Sequence, residues 1–299
     1  MLLLTGATGL VGSALLSRLL AEGADVRCLV RDPRRLGAKR VRVQIALGDL
    51  ADPPSFRNAL RGVHTVVHLA ASIRDQPRGS IEELNGIATW RMVEAAERQG
   101  VERFVFFSAL GASTHHRTRC LRAKALAEQA VREAGVRSIV FAPSIVYAPG
   151  DPWLTLLERM AWLPVMPVSG RGRAAFQPIW ADDVAACVLA ALHADGAGTD
   201  AGAVSHRRYE LAGPETLSHD DIVRTLLRSL GRRRPLLHVP TPVVSRALRL
   251  LERAGGSRAF ATWDEAELME TAMTSPRGAA DAEALGVRPL RMAAVLGTA

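Results

Sequence analysis

Three glycines, Gly6, Gly9 and Gly12, stand in the run Thr5-Gly6-Ala7-Thr8-Gly9-Leu10-Val11-Gly12, behind the apolar opening Met1–Leu4 and ahead of a helical pattern from Ser13 to Ala21. A strand, a glycine turn and a helix in that order form a cradle for a phosphate. The first glycine permits the tight turn, the second lets a pyrophosphate approach the backbone, and the third lets the helix pack closely on the strand. The helix start adds free N–H groups and a partial positive charge.

A second place where chemistry is written is Cys120-Leu121-Arg122-Ala123-Lys124 on a later helical stretch. Residues four apart share one helix face, so the thiol and the ammonium are neighbours. Of the 38 basic residues only Lys39 and Lys124 are lysine. In a chain so biased to arginine, Lys124 points to a site that wants an ammonium rather than a guanidinium.

Positioning such groups needs a rigid frame, and the first half supplies one. Continuous apolar runs predict strands over Leu2–Thr5, Asp25–Val30, Arg42–Leu47, Thr65–Leu69, Arg103–Ser108 and Ser138–Phe141. Between them, helical patterns cover Gly9–Ala21, Pro54–Leu60, Ile81–Gln99 and Arg119–Ala134. Short buried strands alternating with amphipathic helices predict an α/β fold with a doubly wound parallel sheet. After Pro149-Gly150-Asp151-Pro152 the rhythm changes, so residues 1–150 are read as the core and residues 151–299 as a small α/β substrate lobe, some of whose segments return to the core sheet. There, Phe176–Trp180 and Arg208–Ala212 read as strands, Asp182 as the N-cap of a helix to His193, and Ala194–Val204 as a surface loop. Helices are expected from Ser218, over Val243–Ala254 and over Asp264–Thr271.

Composition excludes several classes. The 48% hydrophobic and 23% charged content of the 299 residues is that of a globular protein. No apolar run reaches the roughly 18–20 residues that cross a bilayer. The apolar opening lacks a basic leader and a cleavage site, so the expected location is cytoplasmic. Cys28, Cys120 and Cys187 have no metal-like spacing, so no metal is expected. The net charge of +8 comes from scattered residues without a recognition helix or aromatic platform, which argues against a nucleic-acid partner.

The chain resembles the short-chain dehydrogenase/reductase superfamily in its extended or atypical branch, a family with a Rossmann sheet. The resemblance is carried by Thr5–Gly12, Gly48-Asp49-Leu50, His68-Leu69-Ala70-Ala71, Asn85, Phe104–Ser108, Pro143–Asp151, Gln177–Val184 and Tyr209–Pro214. Ser108–Ser113 and the Gly213-Pro214 turn look most like the group named for the accessory subunit of respiratory complex I, with NmrA-like regulators next. The resemblance implies a dinucleotide held by Thr5, Gly6, Thr8, Gly9, Leu10, Val11, Gly12, Asp49, Leu50, Leu69, Ala70, Ala71, Asn85, Ser108, Lys124, Pro143 and Ile145. Arg31, at the tip of the second strand with Arg34 or Arg35 as helper, suits the 2′-phosphate of NADP, with NAD still open. His68 is read as a hydrogen-bonding residue rather than a catalyst.

At the catalytic landmark the chain departs from its relatives. An active relative carries a Tyr four residues before the Lys; here Cys120 takes that place. Ser108 is the remaining helper hydroxyl. Position 110, where a catalytic hydroxyl often sits, is Leu, while Ser113 is an alternative on a loop that also holds His115 and His116, read as exposed. Three uses of the pair stay open: Lys124 as ribose ligand with Cys120 a bystander, Lys124 as sole acid or base, or Cys120 as the acid. The resemblance thus implies an NADP-favouring oxidoreductase. A catalytically silent NADPH-binding module, serving as redox sensor or as accessory or assembly factor of a larger complex, and a nucleotide-sugar epimerase or dehydratase are the alternatives. Trp153, Leu156, Leu157, Met160, Trp162, Val165 and Met166 either line a pocket for a hydrophobic substrate, quinone or lipid-like, or cover the sheet. Arg171 and Arg173 are the local cations a nucleotide sugar would need. The basic amphipathic stretch Val243–Arg253 can rest on a membrane or pack on the main body; oligomeric state is left open.

Overall fold

The computed structural model describes residues 1–196, 206–255 and 262–297. Seven strands form one parallel sheet: β1 (Leu2–Thr5), β2 (Val26–Val30), β3 (Gln44–Leu47), β4 (Thr65–His68), β5 (Arg103–Phe107), β6 (Arg137–Pro143) and β7 (His206–Leu211). Their spatial order is β3-β2-β1-β4-β5-β6-β7. The chain winds outward from β1 to β3, then jumps back across β1 to β4 and winds the other way. That reversal opens a crevice at the carboxyl ends of β1 and β4, where ligands of such sheets sit.

Both faces of the sheet are covered, which explains the unbroken apolar strands. Alternate residues go to opposite sides. Leu4, Cys28, Val67, Val105 and Phe141 pack with Leu15, Leu16 and Leu19 of α1 (Leu10–Ala21) and with Val184, Cys187 and Val188. Leu3, Leu29, Val66, Phe104, Phe106 and Val140 pack with Met92 and Val93 of α2 (Ala88–Arg98) and Val131 of α3 (Arg119–Glu133). A third core, built on Leu154, Leu157, Met166, Phe176, Ile222 and Leu226, belongs to the second half.

Several expectations are adjusted. The long helix over Ile81–Gln99 contains a π-helical turn, Glu83–Ile87, before α2. The expected strand Phe176–Trp180 is broken at Gln177-Pro178 into Ala175–Phe176 and Ile179–Trp180. Asp182 does not cap its helix: α4 (Ala181–Gly196) begins one residue earlier, and the Asp182 carboxylate instead pairs with Arg18 of α1 at 2.5 Å. Residues 197–204 of the expected surface loop lie outside the described residues. Ser218 does cap α5 (His219–Ser229), through a reciprocal capping box with Asp221. The stretch expected to be amphipathic forms α6 (Thr241–Gly255). Ser245 and Leu248 face inward, and the Arg249 guanidinium lies 4.5 Å over the ring of Trp263, so this helix packs on the body; Leu251 and Arg253 have side chains outside the described residues. The expected helix Asp264–Thr271 is the shorter α7 (Trp263–Leu268).

Candidate functional site

The glycine turn joins β1 to α1 at the switch point. Gly6 has φ +71°, and a Cβ there would lie 2.6 Å from the Ala70 nitrogen and 2.7 Å from the Leu69 carbonyl carbon. A Cβ on Gly12 would run into the Gly6 carbonyl oxygen, so this glycine lets the helix close on the turn. Gly9 meets only the Gly6 oxygen, at 3.2 Å, and its remaining side is open. Gly9 also caps α1 with no side-chain hydrogen bond, leaving the first N–H groups of a twelve-residue helix to an anion.

These features end at a cleft of about 610 Å³. Its walls include Thr5, Gly6, Thr8, Gly9, Arg31, Asp49, Leu50, Leu69, Ala70 and Ala71, ten of the expected cofactor residues. Arg35 joins Arg31 on the wall, whereas Arg34 does not; its backbone N–H is taken by the Asp32 carboxylate at 2.9 Å. Asp49 accepts from the Ala51 N–H at 3.1 Å, an Asx turn that fixes the carboxylate at the tip of β3. Ser72, Gln76 and Leu84 also line the cleft and were not expected. Ser72 and Gln76 stand in a loop and Leu84 in the π-helical turn, and nothing in their local composition announces a wall position.

Other expected residues lie off this wall. Leu10, Val11 and Gly12 belong to the helix start behind the turn. Asn85 is wholly buried in the π-helical turn, with every polar group of its amide used. Its Nδ2 donates to the carbonyls of Ser72 (2.6 Å) and Ile81 (2.8 Å), and its Oδ1 accepts from the Ser72 N–H (3.1 Å). Asn85 therefore pins the loop that carries Ser72 and Gln76 rather than facing the cleft. Pro143 and Ile145 serve as backbone acceptors, for the Leu110 N–H (2.9 Å) and the Ile179 N–H (3.0 Å).

His68 knits the floor. The Thr89 hydroxyl gives its proton to the Asn85 carbonyl at 2.8 Å, so it accepts from His68 Nε2–H at 3.2 Å. His68 Nδ1 then accepts from the Thr5 hydroxyl at 2.9 Å, while the Ala70 N–H donates to Thr5 at 3.3 Å. Burial, and then the Lys124 charge, push the imidazole down to about 3, so it stays neutral. It acts as a buried strut.

Beyond the sheet's end, Lys124 reaches from α3 and donates through Nζ to the Phe107 carbonyl at 2.5 Å, with the Phe106 ring centroid 5.1 Å away. It is only 7% exposed, and burial brings the ammonium down to about 8. The next residue of the strand end, Ser108, is buried with its hydroxyl unpartnered. A buried hydroxyl without a partner, one residue from the carbonyl that holds an ammonium with N–H groups to spare, suits a polar ligand group. Cys120 is buried next to Lys124. Burial raises its thiol more than the ammonium lowers it, so it remains a thiol. His115 and Ser113 are exposed, and His116 accepts from the Thr118 N–H at 3.0 Å at the start of α3.

One charged cluster escaped the sequence reading. Arg119, one residue before Cys120, pairs with Glu82 at 2.7 Å, Asp75 at 3.0 Å and Asp264 at 3.4 Å, while Arg74 pairs with Glu265 at 2.5 Å. These pairs tie the Ser72–Ser80 loop and the start of α3 to α7. The partners are up to 191 residues apart, so no local pattern betrays them.

Residues 6–195 match the model of a family described as NAD(P)H-binding. The chain belongs to that NAD(P)H-binding family. It is an atypical member of the short-chain dehydrogenase/reductase superfamily, with an NAD(P)H-binding domain. Curated relatives of this NAD(P)H-binding chain include subunit 9 of the NADH dehydrogenase [ubiquinone] 1 alpha subcomplex of Arabidopsis thaliana, 28% identical, covering 80% of this chain and 60% of that protein. Sterol demethylase protein B of Methylococcus capsulatus is 32% identical, covering 84% and 80%. A ceramide reductase of Caulobacter vibrioides is 32% identical, covering 62% and 59%. The chain thus spans less than two thirds of the length of two of these three relatives. Among solved structures, a nucleoside-diphosphate-sugar epimerase from Staphylococcus aureus superposes with a TM-score of 0.74 at 19% identity, covering 99% of each chain, which shows the shared fold. Among the described residues no helix is long and apolar enough to cross a membrane.

Proposed function

We propose that this chain is an NADPH-preferring reductase acting on a small, largely apolar carbonyl compound, such as a quinone or a lipid-like ketone, in the cytoplasm. The observation that carries the reading is the buried Lys124 ammonium, bonded to the Phe107 carbonyl one residue before the unpartnered, buried Ser108 hydroxyl. The glycine turn and the start of α1 hold the pyrophosphate, Arg31 and Arg35 the 2′-phosphate, and Asp49 the adenine amino group. NADPH, when bound, supplies the hydride. Lys124 orients the ribose and, being protonated at neutral pH and able to titrate near it, gives the proton to the substrate oxygen that Ser108 holds. A relative named ceramide reductase supports reduction of a lipid-like compound. Three buried cysteines without a disulfide fit a reducing compartment.

A second reading, a silent NADPH-binding module in a larger assembly, is favoured by Cys120, a buried thiol where relatives carry the acid. Titration with NADPH and NADH, followed by turnover over a panel of quinones and ketones, separates the readings. The reductase reading expects NADPH oxidation that disappears in Lys124→Met. Tight NADPH binding without turnover of any compound overturns it in favour of the module, and no binding of either nucleotide overturns both.

A further inference from the structure

We propose that the tip formed by Ala161–Val165 and Arg228–Leu237 seats on the surface of an anionic lipid bilayer. The helix Pro152–Met160 ends at the buried Ala161, and the chain then turns outward. Trp162 is 75% exposed, and Leu163, Val165, Leu230 and Leu237 are exposed with it. The apolar segment that the sequence offered as a pocket lining or a sheet cover is thus split. Leu154, Leu157, Ala161 and Met166 enter the core of the second half, and Trp162, Leu163 and Val165 leave it.

The two segments form one surface. The Arg232 guanidinium lies 3.4 Å over the Trp162 ring. Arg232 Nη1 and Arg234 Nε both donate to the Ala161 carbonyl, at 3.1 and 3.3 Å. The strand Leu236–Val239 pairs in parallel with Met166–Ser169, and the Met166 N–H donates to Pro235 at 2.9 Å. The turn is therefore held in shape by the arginines that ring it.

Charge and shape decide the occupant. Arg228, Arg232, Arg233 and Arg234 stand in these segments, and neither segment contains an Asp or Glu. A protruding apolar tip with cations at its base fits a bilayer, where indole enters the interface and guanidinium meets phosphate. A single aromatic is no stacking platform for a nucleic acid. The amphipathic helix α6, the place where sequence alone would put a membrane contact, is occupied in packing on α7.

The inference stands apart from the reaction, because it is read by binding alone. The full chain is sedimented with vesicles of phosphatidylcholine, and with vesicles of equal parts phosphatidylcholine and phosphatidylglycerol. Binding is expected to the mixed vesicles and to weaken as salt is raised. Replacing Arg232, Arg233 and Arg234 together by Gln should lower partitioning about a hundredfold, at a roughly fivefold factor per arginine. Trp162→Ala with Leu163→Ala should lower it at least roughly tenfold. Trp90→Ala, at an exposed site on α2, should leave it unchanged, and NADPH titration of every variant checks the fold. Absence of sedimentation with mixed vesicles overturns the proposal and leaves a protein partner as the occupant. So does binding that the tip variants do not weaken.

Discussion

Lys124 Nζ donates to the Phe107 carbonyl at 2.5 Å, so the ammonium is held at the end of β5 where burial lowers it from 10.5 to about 8. The folded state releases this proton more readily than the unfolded chain. Between about pH 8 and 10.5 the unfolded chain binds more protons, and stability rises with pH there. Below pH 8 the buried charge costs about 3 kcal/mol. Lys124→Met should therefore unfold at higher denaturant concentration at pH 7, with the gain fading towards pH 10.5, while NADPH affinity falls at least roughly tenfold. Denaturant titration and fluorescence titration read the two effects. A variant that lost stability at pH 7 would show that the charge is better solvated than its burial implies.

Cys120 yields a sharper negative expectation. Its thiol is raised by burial, so it is neither a good nucleophile nor a ready acid at neutral pH. Iodoacetamide at pH 7 should leave it unmodified in the native protein, and Cys120→Ser should keep NADPH binding within about twofold. Mass spectrometry after alkylation is the measurement. Rapid native labelling would restore the thiol as a candidate acid.

At the glycine turn the expected effects are steric. Gly12→Ala places a methyl against the Gly6 carbonyl oxygen, and Gly6→Ala combines φ +71° with a backbone neighbour at 2.6 Å. Gly12→Ala pushes α1 off the turn and Gly6→Ala pushes the turn off the Leu69-Ala70 backbone that follows β4; each costs about 1–3 kcal/mol of stability and opens the cradle. Gly9→Ala meets only one oxygen at 3.2 Å. It should fold nearly normally yet lose NADPH affinity, because its methyl occupies the ligand's side of the turn. Thermal unfolding set against nucleotide titration separates Gly9 from the other two.

How much of this was legible follows from the range of each interaction. The sheet is legible because a strand buried on both faces must be an unbroken apolar run, as Phe104–Phe107 is. The cradle is legible because its three glycines are local and sterically required. Asn85 reads as a ligand on a helix, but its amide is consumed by Ser72, thirteen residues away, through a π-helical turn with no local pattern. Trp162 reads as pocket lining or sheet cover because hydropathy does not tell a residue's direction. Its exposure, with Arg232 brought over its ring from seventy residues on, shows that it stands outside.

The proposed preference for NADPH rests on Arg31 and Arg35. Both line the cleft at the tip of β2, and the acid of that stretch, Asp32, spends one carboxylate oxygen on the Arg34 N–H. A guanidinium on a 2′-phosphate makes charge-assisted bonds worth about 1.5–3 kcal/mol. Arg31→Ser should thus weaken NADPH roughly tenfold or more and leave NADH unchanged, with the double variant Arg31→Ser/Arg35→Ser showing the larger loss. Unchanged preference in the double variant would remove the argument for NADP.

Arg119 and Asp264 should respond to pH in opposite senses. Pairing with Arg119 holds Asp75 and Glu82 below their ordinary values, so these carboxylates stabilise the fold above about pH 4 and lose that contribution as pH falls further. Both are partly exposed, and Arg119→Gln should cost only about 1–2 kcal/mol at pH 7. Asp264 is the reverse case. Burial raises it from 3.8 to about 6, and its Oδ1 is buried without a partner. The folded state binds this proton more tightly, so the ionised carboxylate opposes folding, fully above pH 6 and not at all below about pH 4. Asp264→Asn should accordingly gain about 3 kcal/mol at pH 7 and little at pH 4, whereas Arg119→Gln loses most at pH 7 and little at acid pH. Denaturant titrations of the wild type and both variants at the two pH values test the pair. Equal effects at both pH values would mean that neither side chain changes its protonation on unfolding.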